Sequence, residues 1–402
     1  MVWLPSIPSE LPFGCRRLTG SCAGSRGTAL LNRWTSLELP TPDCLLVLAS
    51  TRSAEVPGIS AAGCTPAARR TTALADAELL IHGPGVPPRW PLPPLPAGVS
   101  PALISRVVAE TIPLHVEVAA VGLPIDPSFP HLRFEAPSHG PAHCIRGGAA
   151  MDPRRVNHLI HQGQRLGRSL RRPLVLAECV PGGTTTALAV LTGLGLPVAQ
   201  LVSGSALHPP MDLKQRLVAE GLSAIECSSI DPQALLAAVG DPFQALTMGV
   251  LLGAVDVDQP ILLAGGSQMV AVLALALAAL PMSQRQMLST RVMLGTTAWL
   301  AAESLETASG PSSLEALLLR LEQHFGIALE AYAAGLRFFH SRHQQLRDFE
   351  AGYVKEGVGA GGLALLASLR GVDNATLLQG CDDAMDRLLQ ATASRPPRRF
   401  GS

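Results

Sequence analysis

Short apolar runs recur along this chain, each closed by turn residues and most followed by a helical stretch, and this alternation narrows the fold more than any other feature. The runs fall at 44–49, 78–82, 115–122, 174–178, 198–202, 261–264, 292–296 and 328–333. Helical patterning falls at 152–170, 184–194, 212–221, 232–239, 242–255, 267–280 and 313–325. Strands that are apolar on both sides need cover on both faces, and helical crossovers between them yield a parallel sheet. The expected class is therefore α/β, a mainly parallel sheet flanked by helices. After Gly335 the strand signals stop, and helices are expected near 341–354, 359–370 and 374–393. The expected division is a loosely ordered extension over 1–40, an α/β domain over 41–335 and a smaller helical subdomain over 336–402. The Pro-rich stretch 84–101 reads as an irregular connection.

Charge excludes some functions. Lys+Arg and Asp+Glu are balanced at 31 each, and only 4% of residues are aromatic. Neither a nucleic-acid partner nor a membrane surface fits that balance. Basic groups are almost all arginine; Lys214 and Lys355 are the only lysines. The eight cysteines (15, 22, 44, 64, 144, 179, 227 and 381) form no CxxC pair, which fits reduced thiols better than a disulfide framework. The opening residues lack a secretory signal. No charge lies between Asp258 and Arg285, but Gly265, Gly266, Ser267 and Gln268 divide that run into a strand and a helix. A cytoplasmic protein is expected.

Three glycine turns stand where ligands meet parallel sheets, beyond strand carboxyl ends. In the first, Glu178 precedes Pro181, Gly182 and Gly183, and Thr184, Thr185 and Thr186 open a helix. Unpaired N–H groups and the helix dipole make such a start an anion site. The second is Gly265, Gly266 and Ser267. The third places Lys355 and Glu356 before Gly357, Val358 and Gly359. Each alone also reads as a packing device. Lys214, opening a helix, reads equally as a solvated residue or as a point charge for a phosphate. The first turn has no Lys-Ser/Thr pair, so a triphosphate P-loop is poorly supported. A G-x-S-x-G elbow is absent; Gly20–Gly24 is its cysteine lookalike. His139, His143 and Cys144 have metal-like spacing without a second ligand cluster, and read as an ordinary polar loop.

The stretches Glu178–Val190, Gly240–Gln244, Leu262–Met269 and Glu55–Gly63 resemble the cyanobacterial and archaeal relatives of nicotinate-nucleotide–dimethylbenzimidazole phosphoribosyltransferase. The resemblance spans roughly 43–390. It implies a mainly parallel, Rossmann-like sheet, a smaller helical subdomain and a homodimer. It implies phosphoribosyl transfer from nicotinate mononucleotide to an aromatic nitrogen base, in cobalamin lower-ligand assembly, with no cofactor or metal. Matched to the family's Glu-x-x-x-Gly-Asn-Thr-Thr turn, Gly182, Gly183, Thr184 and Thr185 would hold the phosphate with Lys214. Matched to its Gly-Glu-Gly-Ser/Thr-Gly-Ala turn, Glu356 would be the base, assisted by Glu178. Gly265, Gly266, Ser267, Gly357 and Gly359 would line the substrate. Gly183, Ala264, Lys355 and Val358 depart from the family pattern, and the acceptor pocket has no residue-by-residue match. The alternatives are a nucleotide-binding or regulatory protein that kept the cradle without catalysis, and an enzyme with another phosphoribosyl donor.

Overall fold

The computed structural model describes residues 11–18, 25–36, 40–63, 65–92, 95, 97–225, 231–304 and 312–393. Its strands are β1 (Arg16–Arg17), β2 (Asp43–Leu48), β3 (Val116–Ala120), β4 (Leu132–Arg133), β5 (Leu174–Cys179), β6 (Ile261–Ala264), β7 (Val292–Thr296) and β8 (Glu330–Ala333). They form one sheet in the order β1-β8-β7-β6-β5-β2-β3-β4. Every neighbouring pair is parallel except β1 with β8. The class read from the sequence, α/β with a mainly parallel sheet between helices, is the class observed.

Side-chain alternation along each strand builds two cores. Leu45, Val47, Leu174, Leu176, Ile261 and Leu263 face one core, covered by helices Gly183–Gly193, Pro242–Ala254, Ser267–Ala279 and Ser313–Phe325. Leu46, Leu48, Val175, Ala177 and Leu262 face the other, under helices Pro66–His82, Ala102–Thr111, Ala360–Leu369 and Asn374–Ala393. The expected helices after Gly335 are present, as a layer of the sheet that shares its core with helices from before residue 112. The uncharged run before Arg285 is β6, a turn and helix Ser267–Ala279. Among the described residues no helix is long and apolar enough to cross a membrane.

Two expected strands are corrected. Residues 78–82 are the last turns of helix Pro66–His82, which starts at a Thr65 cap accepting the Ala68 N–H at 3.1 Å, with Pro66 beside it. A five-residue apolar run carries too little length to separate a buried strand from a helix face. Residues 198–202 bury Val198, Leu201 and Val202 but pair with no strand, because β6 already occupies the free side of β5. Part of 1–40 is also built into the fold rather than loose. β1 pairs with β8, and helix Ser25–Thr35 puts Leu30 and Trp34 into the second core. The Gly20–Gly24 lookalike, Cys22, Cys64 and Cys227 lie outside the described residues.

Candidate active site

From β2 the chain proceeds to β3 on one side, whereas β5 lies on the other side of β2. Loops leaving strands in opposite directions open a crevice at their carboxyl ends, the usual ligand position in such sheets. A cavity of about 270 Å³ occupies it. Its wall takes Ile59–Ala62 from the segment after β2, Glu178–Thr184 from the turn after β5, and Gly266–Gln268 from the turn after β6. Ser203–Leu207, Lys214, Glu303 and Tyr353–Val358 also contribute, as does Asp76.

The turn after β5 owes its shape to glycine. Gly182 has φ +82°, and a Cβ there would meet Ala54 at 3.0 Å. Two of the N–H groups expected to face an anion instead close the turn: Gly183 N–H donates to Val180 O at 2.8 Å and Thr185 N–H to Gly182 O at 2.9 Å. Thr184 lines the cavity. Thr185 is fully buried and outside the wall. Beneath the turn, Asp241 Oδ2 accepts Thr186 Oγ1 at 2.5 Å and Gln268 Nε2 at 2.9 Å, while Oδ1 accepts the Gln244 N–H at 3.0 Å. That buried network ties three helices together and explains why the Gly240–Gln244 and Leu262–Met269 motifs accompany the turn. Gly183 leaves room for Gln268, whose Nε2 would lie 2.5 Å from a Cβ at this position.

Both lysines of the chain are in this wall. Lys214 is 1% exposed, and its Nζ donates to the carbonyls of Val202 (3.3 Å) and Ser203 (2.5 Å). Burial pulls its pKa from 10.5 down to about 7, with the Glu303 charge opposing the fall and the Lys355 charge adding to it. Lys355 Nζ donates to Gly204 O at 3.2 Å, Ala206 O at 3.0 Å and Glu303 Oε1 at 2.5 Å. Both lysines thus donate to carbonyls of one loop, 202–206. Lys355 is committed to Glu303 and that loop rather than to its neighbour Glu356.

Two carboxylates meet above the sheet. Glu356 Oε2 accepts Thr296 Oγ1 (2.9 Å) and the Thr297 N–H (2.8 Å), and Oε1 accepts the N–H groups of Gly357 and Gly361, each at 3.1 Å. Burial raises its pKa, and those four donors oppose the rise. Glu178 has one such donor, the Val180 N–H at 2.9 Å. Burial pushes it up to about 8, the Val180 bond opposes this, and the charges of Glu356, Asp241 and Asp76 add to it. The turn bearing Glu356 is tied to β5 by the Val358 N–H, which donates to Glu178 O at 3.0 Å. Burial raises both acids, and more hydrogen-bond donors oppose the rise at Glu356 than at Glu178.

Glu178, Gly182, Gly183, Thr184, Lys214, Gly266, Ser267, Glu356 and Gly357 all border this cavity. Gly265 and Gly359 are not in its wall. A Cβ on Gly359 would lie 2.7 Å from Ala177 Cβ and one on Gly265 3.0 Å from Met269 Cγ, so both serve packing. Sequence reasoning missed Thr296, Thr297, Glu303 and Asp76. Asp76 accepts Ser100 Oγ at 2.7 Å and Cys179 Sγ at 3.3 Å, and burial, opposed by these bonds, lifts its pKa to about 6. Only the two threonines carried a usable signal, a hydroxyl pair closing a strand. His139 and His143 are exposed and away from the cavity.

The family model DBI_PRT, a phosphoribosyltransferase, matches residues 102–307. That stretch holds Glu178, Lys214 and Glu303 and ends before the Glu356 turn. A UPF0284 protein of Parasynechococcus marenigrum is 54% identical over 96% of this chain and 96% of its own. Another from Prochlorococcus marinus (strain MIT 9313) is 54% identical over 98% of this chain and 100% of its own. Among solved structures, CobT from Thermus thermophilus superposes with a TM-score of 0.58 at 18% identity, covering 88% of each chain. A nicotinate-nucleotide-dimethylbenzimidazole phosphoribosyltransferase from the same organism gives 0.58 at 19% identity, over 90% of this chain and 92% of its own. With a cavity at the switch point of its sheet and this degree of kinship, the chain belongs to the DBI_PRT phosphoribosyltransferase family, alongside the cyanobacterial UPF0284 proteins.

Proposed function

We propose that this cavity transfers the phosphoribosyl group of nicotinate mononucleotide to an aromatic nitrogen base of the dimethylbenzimidazole class, in cobalamin lower-ligand assembly. The products are nicotinate and an α-riboside phosphate. The observation that carries the reading is a buried amine that donates to carbonyls and to no carboxylate among the described residues, Lys214, sharing one cavity with two buried acids, Glu178 and Glu356. The third N–H of Lys214 is open to an anion, and a bound anion would favour the charged form. Thr184 would hold the phosphate beside Lys214, with Gly182 and Gly183 leaving it room.

The donor is already activated, since its positive pyridinium nitrogen leaves as neutral pyridine. Glu356 takes the proton of the acceptor N–H, the freed nitrogen lone pair forms the new bond at the anomeric carbon, and the old C–N electron pair returns to nicotinate. Attack from the face opposite the leaving group converts a β- to an α-riboside. Glu178, which burial pushes up to about 8, positions the acceptor. Holding both substrates in line contributes much of the acceleration. The reading includes a cytoplasmic homodimer, which light scattering and fractionation test.

Purified protein mixed with nicotinate mononucleotide and a panel of benzimidazoles, phenols and purines should release nicotinate. Glu356→Gln should lower turnover by about 10²–10⁴-fold, the span of general-base contributions, while calorimetric binding of the mononucleotide stays close to wild type. Binding without turnover for every acceptor supports the non-catalytic alternative instead.

A further inference from the structure

We propose that Glu303 receives the hydroxyls of the ligand's sugar and so restricts the cavity to ribose 5-phosphates over their deoxy forms, an inference that rests on the phosphoribosyl reading above.

An ammonium has three N–H groups to donate. Lys355 spends all three, on Gly204 O, Ala206 O and Glu303 Oε1. Lys214 spends two, on Val202 O and Ser203 O, which leaves one. The remaining donor suits an anion, and Thr184 is close by: a Cβ on Gly204 would lie 3.6 Å from Lys214 Nζ and 3.7 Å from Thr184 Oγ1.

Glu303 has the opposite deficit. Its side chain is 11% exposed, and Oε1 is taken by Lys355. Oε2 is buried and accepts no hydrogen bond from the described residues. Lys355 cannot supply the missing donor, because its three are committed. An unmet carboxylate oxygen on a residue that lines the cavity calls for an O–H or N–H from the ligand. Glu303 acts electrostatically on Lys214, so the two deficits lie near one another. A ligand that answers both carries a phosphoryl group and neighbouring hydroxyls on one small frame, which is a sugar phosphate. Lys355 is the positioning residue, pinning Glu303 from a turn that also carries Glu356.

Calorimetry on the full chain tests this with ribose 5-phosphate, 2-deoxyribose 5-phosphate and 3-deoxyribose 5-phosphate. Loss of a charge-assisted hydrogen bond should weaken at least one deoxy sugar by roughly 10- to 100-fold. Glu303→Gln keeps an oxygen for Lys355 but removes the charge from the second position, and should shrink that gap to under about threefold. Equal binding of all three sugars by wild type overturns the role of Glu303 alone. Discrimination that persists in Glu303→Gln does the same. No binding of any sugar phosphate overturns the phosphoribosyl cavity, and this inference with it. The wild-type comparison stands whether or not the variant folds.

Discussion

Glu178 and Lys214 titrate in opposite senses for one reason, the removal of a charge from water. Glu178, raised from 4.5 to about 8, holds its proton more tightly in the folded chain than in the unfolded one. Its contribution to stability is complete below about pH 4.5 and is lost as pH rises through about 8. Lys214, lowered from 10.5 to about 7, does the reverse: its contribution is complete above 10.5 and is lost as pH falls through 7. Glu178→Gln should therefore flatten the decline of stability between pH 5 and 9, a tenfold difference in proton affinity being worth about 1.4 kcal/mol before screening. Urea denaturation across that range measures it, and parallel wild-type and variant curves would refute the assignment. Both residues were legible in the sequence, one by its place before a glycine turn and one by the scarcity of lysine. Glu303 was not, because a single glutamate after a short helix has no local signature. Its role depends on Lys355, 52 residues away.

At the scale of elements, the turn bearing Glu356 is where backbone strain collects. Val354 (φ +65°), Lys355 (φ +62°) and Val358 (φ +54°) are the non-glycine residues with positive φ among those described. Such conformations cost roughly 1–3 kcal/mol each and persist where surrounding structure over-determines them. Here Val354 N–H donates to Ser205 O at 3.0 Å, Thr297 Oγ1 to Lys355 O at 2.5 Å, and Val358 N–H to Glu178 O at 3.0 Å. Lys355 stands where the resembling family has glycine, and it keeps the left-handed backbone that glycine would adopt freely. A different demand for glycine operates between helices Pro153–Ser169 and Pro242–Ala254. A Cβ on Gly163 would sit 2.1 Å from Leu246 O, and one on Gly249 2.2 Å from Ile160 O. Gly163→Ala or Gly249→Ala should each destabilise by about 1–3 kcal/mol, since backbone must move. Gly147→Ala, with nothing within 4 Å, should change stability by less than about 0.5 kcal/mol. Denaturant midpoints compare them, and equal midpoints would refute the close-contact account. Both helices were legible from periodicity; their pairing through glycines was not, because periodicity says which face is buried and not what lies opposite.

For the molecule as a whole, the first forty residues matter more than their composition suggests. Trp34 is fully buried, Leu30 is 3% exposed, and β1 covers the outer edge of β8. Removing residues 1–40 should cost about 3–5 kcal/mol from the lost tryptophan alone and expose a strand edge. Thermal denaturation of the shortened chain checks this, and an unchanged midpoint would show the segment to be dispensable. Its Pro, Gly and Ser content concealed a short helix whose stability comes from burying Leu30 and Trp34. The amino-acid order alone determined the α/β class, the six runs that became strands, and the glycine turns that open three of the helices, because each follows from side-chain periodicity and turn chemistry over a few neighbouring residues. Only the tertiary structure decided that Thr184, Lys214, Glu303 and Glu356 share one cavity, and that Thr185, Gly265 and Gly359 stand outside it. Strand order brings those loops together, and it is set by burial summed over two cores, a quantity that no local stretch of chain contains.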